Sequence, residues 1–346
     1  LPLRSLSVTL RFNAPSRPRF FHQAAVHAFV RTLLGGSEDF ADFLRIDTPE
    51  TGRVSYRTGD GYRFCVIALR GGEAHLADLI IALRRLPRSA PRGEPHLPFA
   101  DNCDLWLLED AFSGKPVEDI EDCSAYDADI LAEEAALWAG SRELVWRWLA
   151  PARLLRAKGS RQGLRGESRF CRDSHTSPAE LLFHRVADAC TELLRRRGHS
   201  GLHRPAVEAL QTSAAQLFWI DHAYTDSGGD NHSMGGMAGE QRLQLPEDLP
   251  GYWWPLLVLG QYLGIGQRTA FGWGRYRLEG ADGTFSLHRV LPAASLLARA
   301  AANENLAEAW RHVSASSGAL AEQTETGWPN GREADDEDED ESASEH

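Results

Sequence analysis

Gly264-Ile265-Gly266-Gln267-Arg268-Thr269-Ala270-Phe271-Gly272-Trp273-Gly274-Arg275-Tyr276 decides how this chain reads. Two glycine pairs enclose Arg268. Glycine tolerates positive φ and lets a second backbone come close. Upstream, Trp253 to Leu263 is an apolar, helix-like run. Downstream, Trp273 to Leu278 alternates as a half-buried strand does. The order is helix, glycine loop, strand. Known phosphate loops differ from it. The dinucleotide fingerprint needs a glycine where Thr269 stands, and it follows a strand and opens a helix. No lysine follows the glycines, as a P-loop requires. Two readings stay open: an anion nest of backbone amides with Arg268, or a plain tight connection.

Working outward, the elements around the loop form one unit. Glu143 to Leu149 reads as a strand. Pro178 to Arg197 reads as a helix, with Ser177 and Glu180 as a capping box and Pro178 at its first position. Leu217 to Tyr224 and Gln241 to Leu245 are strands, and Tyr252 to Leu263 is the second helix. An earlier unit repeats the order. Ser5 to Phe12 alternates as a strand. Phe20 to Leu34 is helical and stops at Gly35-Gly36. Arg53 to Arg57 and Tyr62 to Leu69 read as a strand pair, Glu73 to Leu86 as a helix, and residues 104–112 as a further strand. Strand-helix-strand-strand-helix-strand is the ferredoxin-like pattern. The expected fold class is α+β, two tandem ferredoxin-like (RNA-recognition-like) domains plus an acidic disordered C-terminal tail. The expected division is a first domain over 1–120, an acidic linker over 121–140, a second domain over 141–280 holding the loop 264–274, and a helical extension with the tail over 281–346.

Charge is unevenly spread. The whole chain carries −12, but residues 301–346 hold 13 acids against Arg311 and Arg332, so the body is close to neutral. Between Arg142 and Arg172 the only acids are Glu143 and Glu167, among many arginines. Lys158, Arg161, Arg165 and Arg169 recur near every fourth position. A neutral body with a local basic stripe suits a nucleic-acid partner. Glu333 to Glu341 has the composition of a solvated tail. No run of eighteen apolar residues occurs, so no membrane span is expected. The five cysteines stand far apart, with no CxxC pair, which supports neither a disulfide framework nor a zinc site and fits a cytoplasmic location. No metal site and no cofactor are expected. The first residues, Leu1-Pro2-Leu3-Arg4-Ser5, hold no signal-peptide core and no Met, so a processed, trimmed or incompletely called chain is expected.

The stretch from Leu263 to Tyr276 resembles the C-terminal glycine-rich loop of the CRISPR precursor-RNA processing endoribonucleases, the Cas-six family of the RAMP superfamily. A glycine pair, a basic residue, a threonine, an aromatic residue and Gly-x-Gly all stand in order. Leu144 to Leu154, Phe218 to Tyr224 and Gly235 to Gly239 resemble strands of that family's second half. The resemblance implies tandem ferredoxin-like domains and metal-independent cleavage of CRISPR repeat RNA to mature guide RNAs. In it, the ribose 2′-hydroxyl attacks the adjacent phosphate and leaves a cyclic phosphate and a 5′-hydroxyl. Leu296 to Val313 with Ser317-Gly318-Ala319 resembles the opening helix of group-II-type reverse transcriptases, which implies the first module of a fusion to a reverse transcriptase and a Cas-one integrase, cut short or separated; a plain surface helix is the other reading that stays open. The alternative function is a catalytically weak RNA-binding module that serves spacer acquisition. Expected partners are CRISPR repeat RNA, the reverse transcriptase, the Cas-one and Cas-two adaptation proteins, or a CRISPR effector complex.

Such chemistry needs proton-transfer groups and cations at the phosphate. Histidine suits both proton roles near neutral pH. His22, at the mouth of the first helix, is the first choice, and His27 the second. They lie five apart, about 140° around a helix, so one of the two faces the site. Arg31, four residues past His27, shares its face. Tyr56 is a weaker choice as base or stacking platform. His175, His222 and His232 are weaker still, since no nucleophile motif accompanies them. The expected RNA contacts are Gly264, Gly266, Gln267, Arg268, Thr269, Gly272, Gly274 and Arg275 of the loop, with Lys158, Arg161 and Arg165 of the basic stripe.

Overall fold

The computed structural model describes residues 3–18, 21–36, 39–86, 102–195, 210–225 and 231–280. Those residues form two four-stranded antiparallel sheets. The first is built from β1 (Arg4–Phe12), β2 (Leu44–Asp47), β3 (Gly61–Ala68) and β4 (Cys103–Asp110), in the order β2-β3-β1-β4. Helices α1 (Gln23–Leu33), α2 (Phe40–Phe43) and α3 (Glu73–Arg84) connect them. The second sheet takes β5 (Glu143–Trp148), β6 (Gln211–Thr225), β7 (Asn231–Gln244) and β8 (Tyr276–Gly280), in the order β6-β7-β5-β8. Its helices are α5 (Ala179–Arg195) and α6 (Trp253–Leu263), and α4 (Ala128–Ala136) lies between the halves. Each sheet has the ferredoxin-like order, so the tandem α+β fold stands.

Alternation explains the first sheet. Leu6, Val8, Leu10 and Phe12 of β1 are buried with Phe64 and Val66 of β3 and with Val26, Phe29 and Val30 of α1. The opposite face of β3 does different work. Cys65 and Ile67 join Leu3 and Leu69 in a second core with Trp146, Trp148, Leu257 and Tyr276. The two halves thus share apolar packing. In β5, Trp146 lies opposite Leu278 and Trp148 opposite Tyr276. The rings of Trp146 and Tyr276 stack at 3.8 Å. The five cysteines are all buried as free thiols.

Several expectations change. The strand beside β3 is Leu44–Asp47, not Arg53 to Arg57. Leu44 and Ile46 alternate into the core, whereas the 48–60 segment is held by side chains: Glu50 accepts hydrogen bonds from the Arg63 backbone N–H (2.7 Å) and the Tyr56 hydroxyl (2.8 Å). Tyr56 is buried rather than presented. The Ser177 hydroxyl is buried without a hydrogen bond among the described residues, so no capping box forms. Within the stretch read as a linker, Glu134 of α4 is buried and accepts from the Tyr126 and Tyr262 hydroxyls. β8 begins at Tyr276, because Trp273 and Gly274 belong to the loop. The extension and acidic tail, and the helix expected over 296–313, lie outside the described residues. No helix among the described residues is long and apolar enough to cross a membrane.

Candidate nucleic-acid interface

The glycine loop leaves the end of α6 and runs along a seam between the two halves. A Cβ on Gly272 would stand 2.1 Å from the carbonyl oxygen of Ile46 in β2, and one on Gly274 1.8 Å from that of Ile265. Both have positive φ, at 81° and 68°. No side chain fits at that approach. These glycines therefore let the loop press on the first sheet and on itself. Gly264 and Gly266 carry the chain past Arg153: the Gln267 backbone N–H donates to the Arg153 carbonyl at 3.0 Å.

Arg275 corrects an expectation. It was expected on RNA, but it is wholly buried. Its guanidinium donates to the Tyr262 carbonyl at 2.6 Å and to Asp47 of β2 at 3.4 Å. That charge is neutralised inside the protein, at the seam. Arg268 points the other way. It is exposed, stands at φ 65°, and is the one non-glycine residue with positive φ among the described residues. Its guanidinium carbon is 6.0 Å from the Phe271 ring. Gln267 is exposed beside it, and Thr269 opens the short 3-10 turn Thr269–Phe271.

Helix α1 meets this loop with a polar stripe. Gln23, His27 and Arg31 are spaced by four, so they share a face. The His27 ring stacks on Phe271 at 3.9 Å and 14°. His27 is 6% exposed, and its Nε2 has no hydrogen-bond partner among the described residues. Burial, with Arg31 nearby as a second cause, pulls its pKa down to about 4. The ring is thus neutral at physiological pH. Gln23 is 2% exposed, its Oε1 lacks a partner among the described residues, and its Cγ would lie 3.8 Å from a Cβ on Gly272. Sequence reading missed Gln23 and Phe271. The four-residue spacing of polar residues on an otherwise apolar helix was the available signal.

His22 fares otherwise. It stands just before α1 and is 1% exposed. Its ring packs 5.4 Å from Tyr62 and 6.4 Å from Tyr56 in the first core. The priority of His22 over His27 is therefore reversed, because its side chain turns inward where the helix begins. His222 and His232 lie in β6 and β7, opposite Met234 and Tyr224. His175 is exposed in the turn before α5.

The basic stripe reaches the loop through Arg153. Lys158–Arg161 and Gly166–Arg169 form two 3-10 turns. Lys158 and Arg165 are exposed, and Arg161 is half-buried. Arg153 joins stripe and loop, donating from Nε to Gln267 Oε1 at 3.3 Å. Among the described residues, no group of three or more His, Cys, Asp or Glu is placed to hold a metal ion.

Tandem ferredoxin-like sheets with a glycine-rich loop wedged between them define a class of α+β proteins with a basic loop-side surface. Within it, residues 147–276 match the model of the CRISPR-associated endoribonuclease Cas6 family. The chain is similar to a solved partial Cas6-RT-Cas1–Cas2 complex, at 28% identity and a TM-score of 0.65, covering 86% of this chain and 49% of that one. It is likewise similar to a Cas6-RT-Cas1–Cas2 complex at 28% identity and 0.65, covering 86% and 30%. The chain therefore spans half or less of the chains it matches there. Thermus thermophilus Cas6 is 14% identical with a TM-score of 0.46, covering 80% of this chain and 97% of that one. No curated protein matches.

Proposed function

We propose that this chain is a metal-independent endoribonuclease that binds CRISPR repeat RNA and cuts it to mature guide RNAs. The observation that supports it most is the seam: a neutral, buried His27 against the glycine loop, with Arg31 on its own helix and exposed Arg268 across the turn. In this reading neutral His27 takes the proton of a ribose 2′-hydroxyl as its oxygen attacks the adjacent phosphorus. The bond from phosphorus to the 5′-oxygen breaks, the 5′-oxygen takes a proton from water, and His27 returns the proton it took to solvent. Arg31 and Arg268 offset the charge that grows on the phosphate. Phe271 covers the histidine ring, so the turn Thr269–Phe271 must lift for RNA to reach it. The products are a 2′,3′-cyclic phosphate and a 5′-hydroxyl. The expected compartment is the cytoplasm.

The test is incubation of the purified chain with its repeat RNA in EDTA. Cleavage should proceed, and RNA carrying 2′-deoxyribose at the cut position should stay whole. Activity abolished by EDTA and restored by magnesium would overturn the metal-independent route.

A second reading has its own observation. His22 and His27 are both nearly inaccessible, and the similar chains belong to complexes named for a reverse transcriptase, Cas1 and Cas2. The chain would then hold RNA, without cutting it, for such adaptation proteins or for a CRISPR effector complex. Repeat RNA bound but left intact would favour this reading.

Under either reading Arg268 meets a phosphate. Arg268→Ala should weaken RNA binding by about 1.5–3 kcal/mol, the worth of a charged hydrogen bond. The slope of log affinity against log salt should fall by about one. Filter binding at several salt concentrations measures both; an unchanged slope and affinity would make Arg268 a bystander.

A further inference from the structure

The contact chain that starts at the loop does not stop at Arg153. Arg153 donates from Nη1 to the Gly235 carbonyl of β7 at 3.1 Å and lies 3.8 Å from Glu167. Glu167 also accepts the Gly235 N–H at 3.2 Å and pairs with Arg172 at 3.6 Å. The Arg172 guanidinium carbon sits 4.7 Å from the centre of the Trp219 indole. That indole is held on its other sides: its Nε1 donates to Asp221 at 2.8 Å, and a Cβ on Gly235 would stand 2.2 Å from the ring. Trp219 is therefore held against Gly235 of β7, half-buried, with the guanidinium carbon over its ring. The Arg172 side chain is 42% exposed. The indole covers one side of the guanidinium and Glu167 meets one edge, so the exposure belongs to the sides that remain. Arg165, Arg169 and Lys158 nearby in the sequence are exposed as well.

We propose that the Arg172–Trp219 stack is a subsite for an unpaired RNA base, which lies on the outer plane of the guanidinium. The proposal rests on the RNA-binding reading above. Nucleobases stack readily on guanidinium planes and on aromatic rings. Glu167 and Asp221 give the stack a defined geometry: one pairs with the guanidinium, the other holds the indole edge. Arg153 and Arg172 balance Glu167 and Asp221, so the cluster itself is neutral. Loop, Arg153 and stack then form one track along which a single strand can run.

The test uses the full chain and a set of single-stranded repeat RNAs, each abasic at one position. For the parent, one position should cost about 5- to 100-fold in affinity, the usual worth of one stacked base. Arg172→Lys keeps the charge and can keep the ion pair with Glu167, but lacks the plane. It should bind intact RNA about as weakly as the parent binds the abasic RNA, and be indifferent to that abasic position. Trp219→Phe should retain part of the discrimination, and thermal melts of each variant report whether the hairpin has survived. If Arg172→Lys binds and discriminates like the parent, the stack is a structural staple and the proposal falls. The same holds if Arg172→Ala lowers only the melting temperature. If the parent binds no RNA at any salt, the RNA-binding reading itself falls, and the subsite with it.

Discussion

His27→Ala is expected to slow single-turnover cleavage of repeat RNA by about 10²–10⁴-fold, the usual worth of a proton-transfer group. RNA affinity should change little, because the lost interaction belongs mainly to the transition state. The geometry makes the expectation specific to this histidine. His27 faces the glycine loop, whereas His22 packs on Tyr62 inside the first core. His22→Ala should therefore lower the melting temperature and leave the rate of the folded protein near that of the parent. The pH dependence follows from burial. A base held at about 4 is already neutral at pH 7. The acid limb of kcat/KM should then lie near about pH 4 rather than at the ordinary histidine value of 6.5. Stability follows with a definite sign. The unfolded chain binds a proton at the ordinary value, and the folded chain resists it. Stability is full above about 6.5 and is lost as the pH falls toward about 4, by about 3 kcal/mol in total. His27→Gln should remove this dependence from urea titrations. An acid limb near 6.5, or a His27→Ala variant that cuts at the parental rate, would take the chemistry away from α1.

The second large effect concerns the buried pair at the seam. Arg275→Ala is expected to destabilise the protein by about 3–5 kcal/mol, because Asp47 would keep its charge without a partner in a dry site. The two side chains are 0% and 6% exposed, so little water reaches them. The same substitution frees the Tyr262 carbonyl, which loses a 2.6 Å hydrogen bond. Replacing both charges, with Arg275→Met and Asp47→Asn, should recover much of the loss, since a buried ion pair gains little over a well-packed neutral pair. Urea unfolding of the single and double variants measures the cycle. Additive losses would mean that Arg275 acts through Tyr262 alone. The expected losses are structural, so RNA affinity of the folded fraction should persist.

Much of the architecture was legible from residue order alone. Alternation in Ser5 to Phe12 and in Tyr62 to Leu69 marks strands because successive side chains point to opposite faces. The apolar run Trp253 to Leu263 and the glycines behind it mark a helix that ends in a special backbone. Those local signals suffice for two ferredoxin-like units and for the loop inside the second. The roles inside the loop were not legible. Gly272 reads the same whether it faces a phosphate or the Ile46 carbonyl, and Arg275 reads the same whether it is offered to solvent or paired with Asp47. Periodicity places His27 and Gln23 on one face of α1, but it carries no information on what lies against that face. That is settled by contacts between residues more than two hundred positions apart, as Asp47 and Arg275 are. Local pattern determines which elements form and which side of each is apolar. Only the packing of one half on the other decides which polar groups are buried in the seam and which, like Arg268, are left to meet a partner.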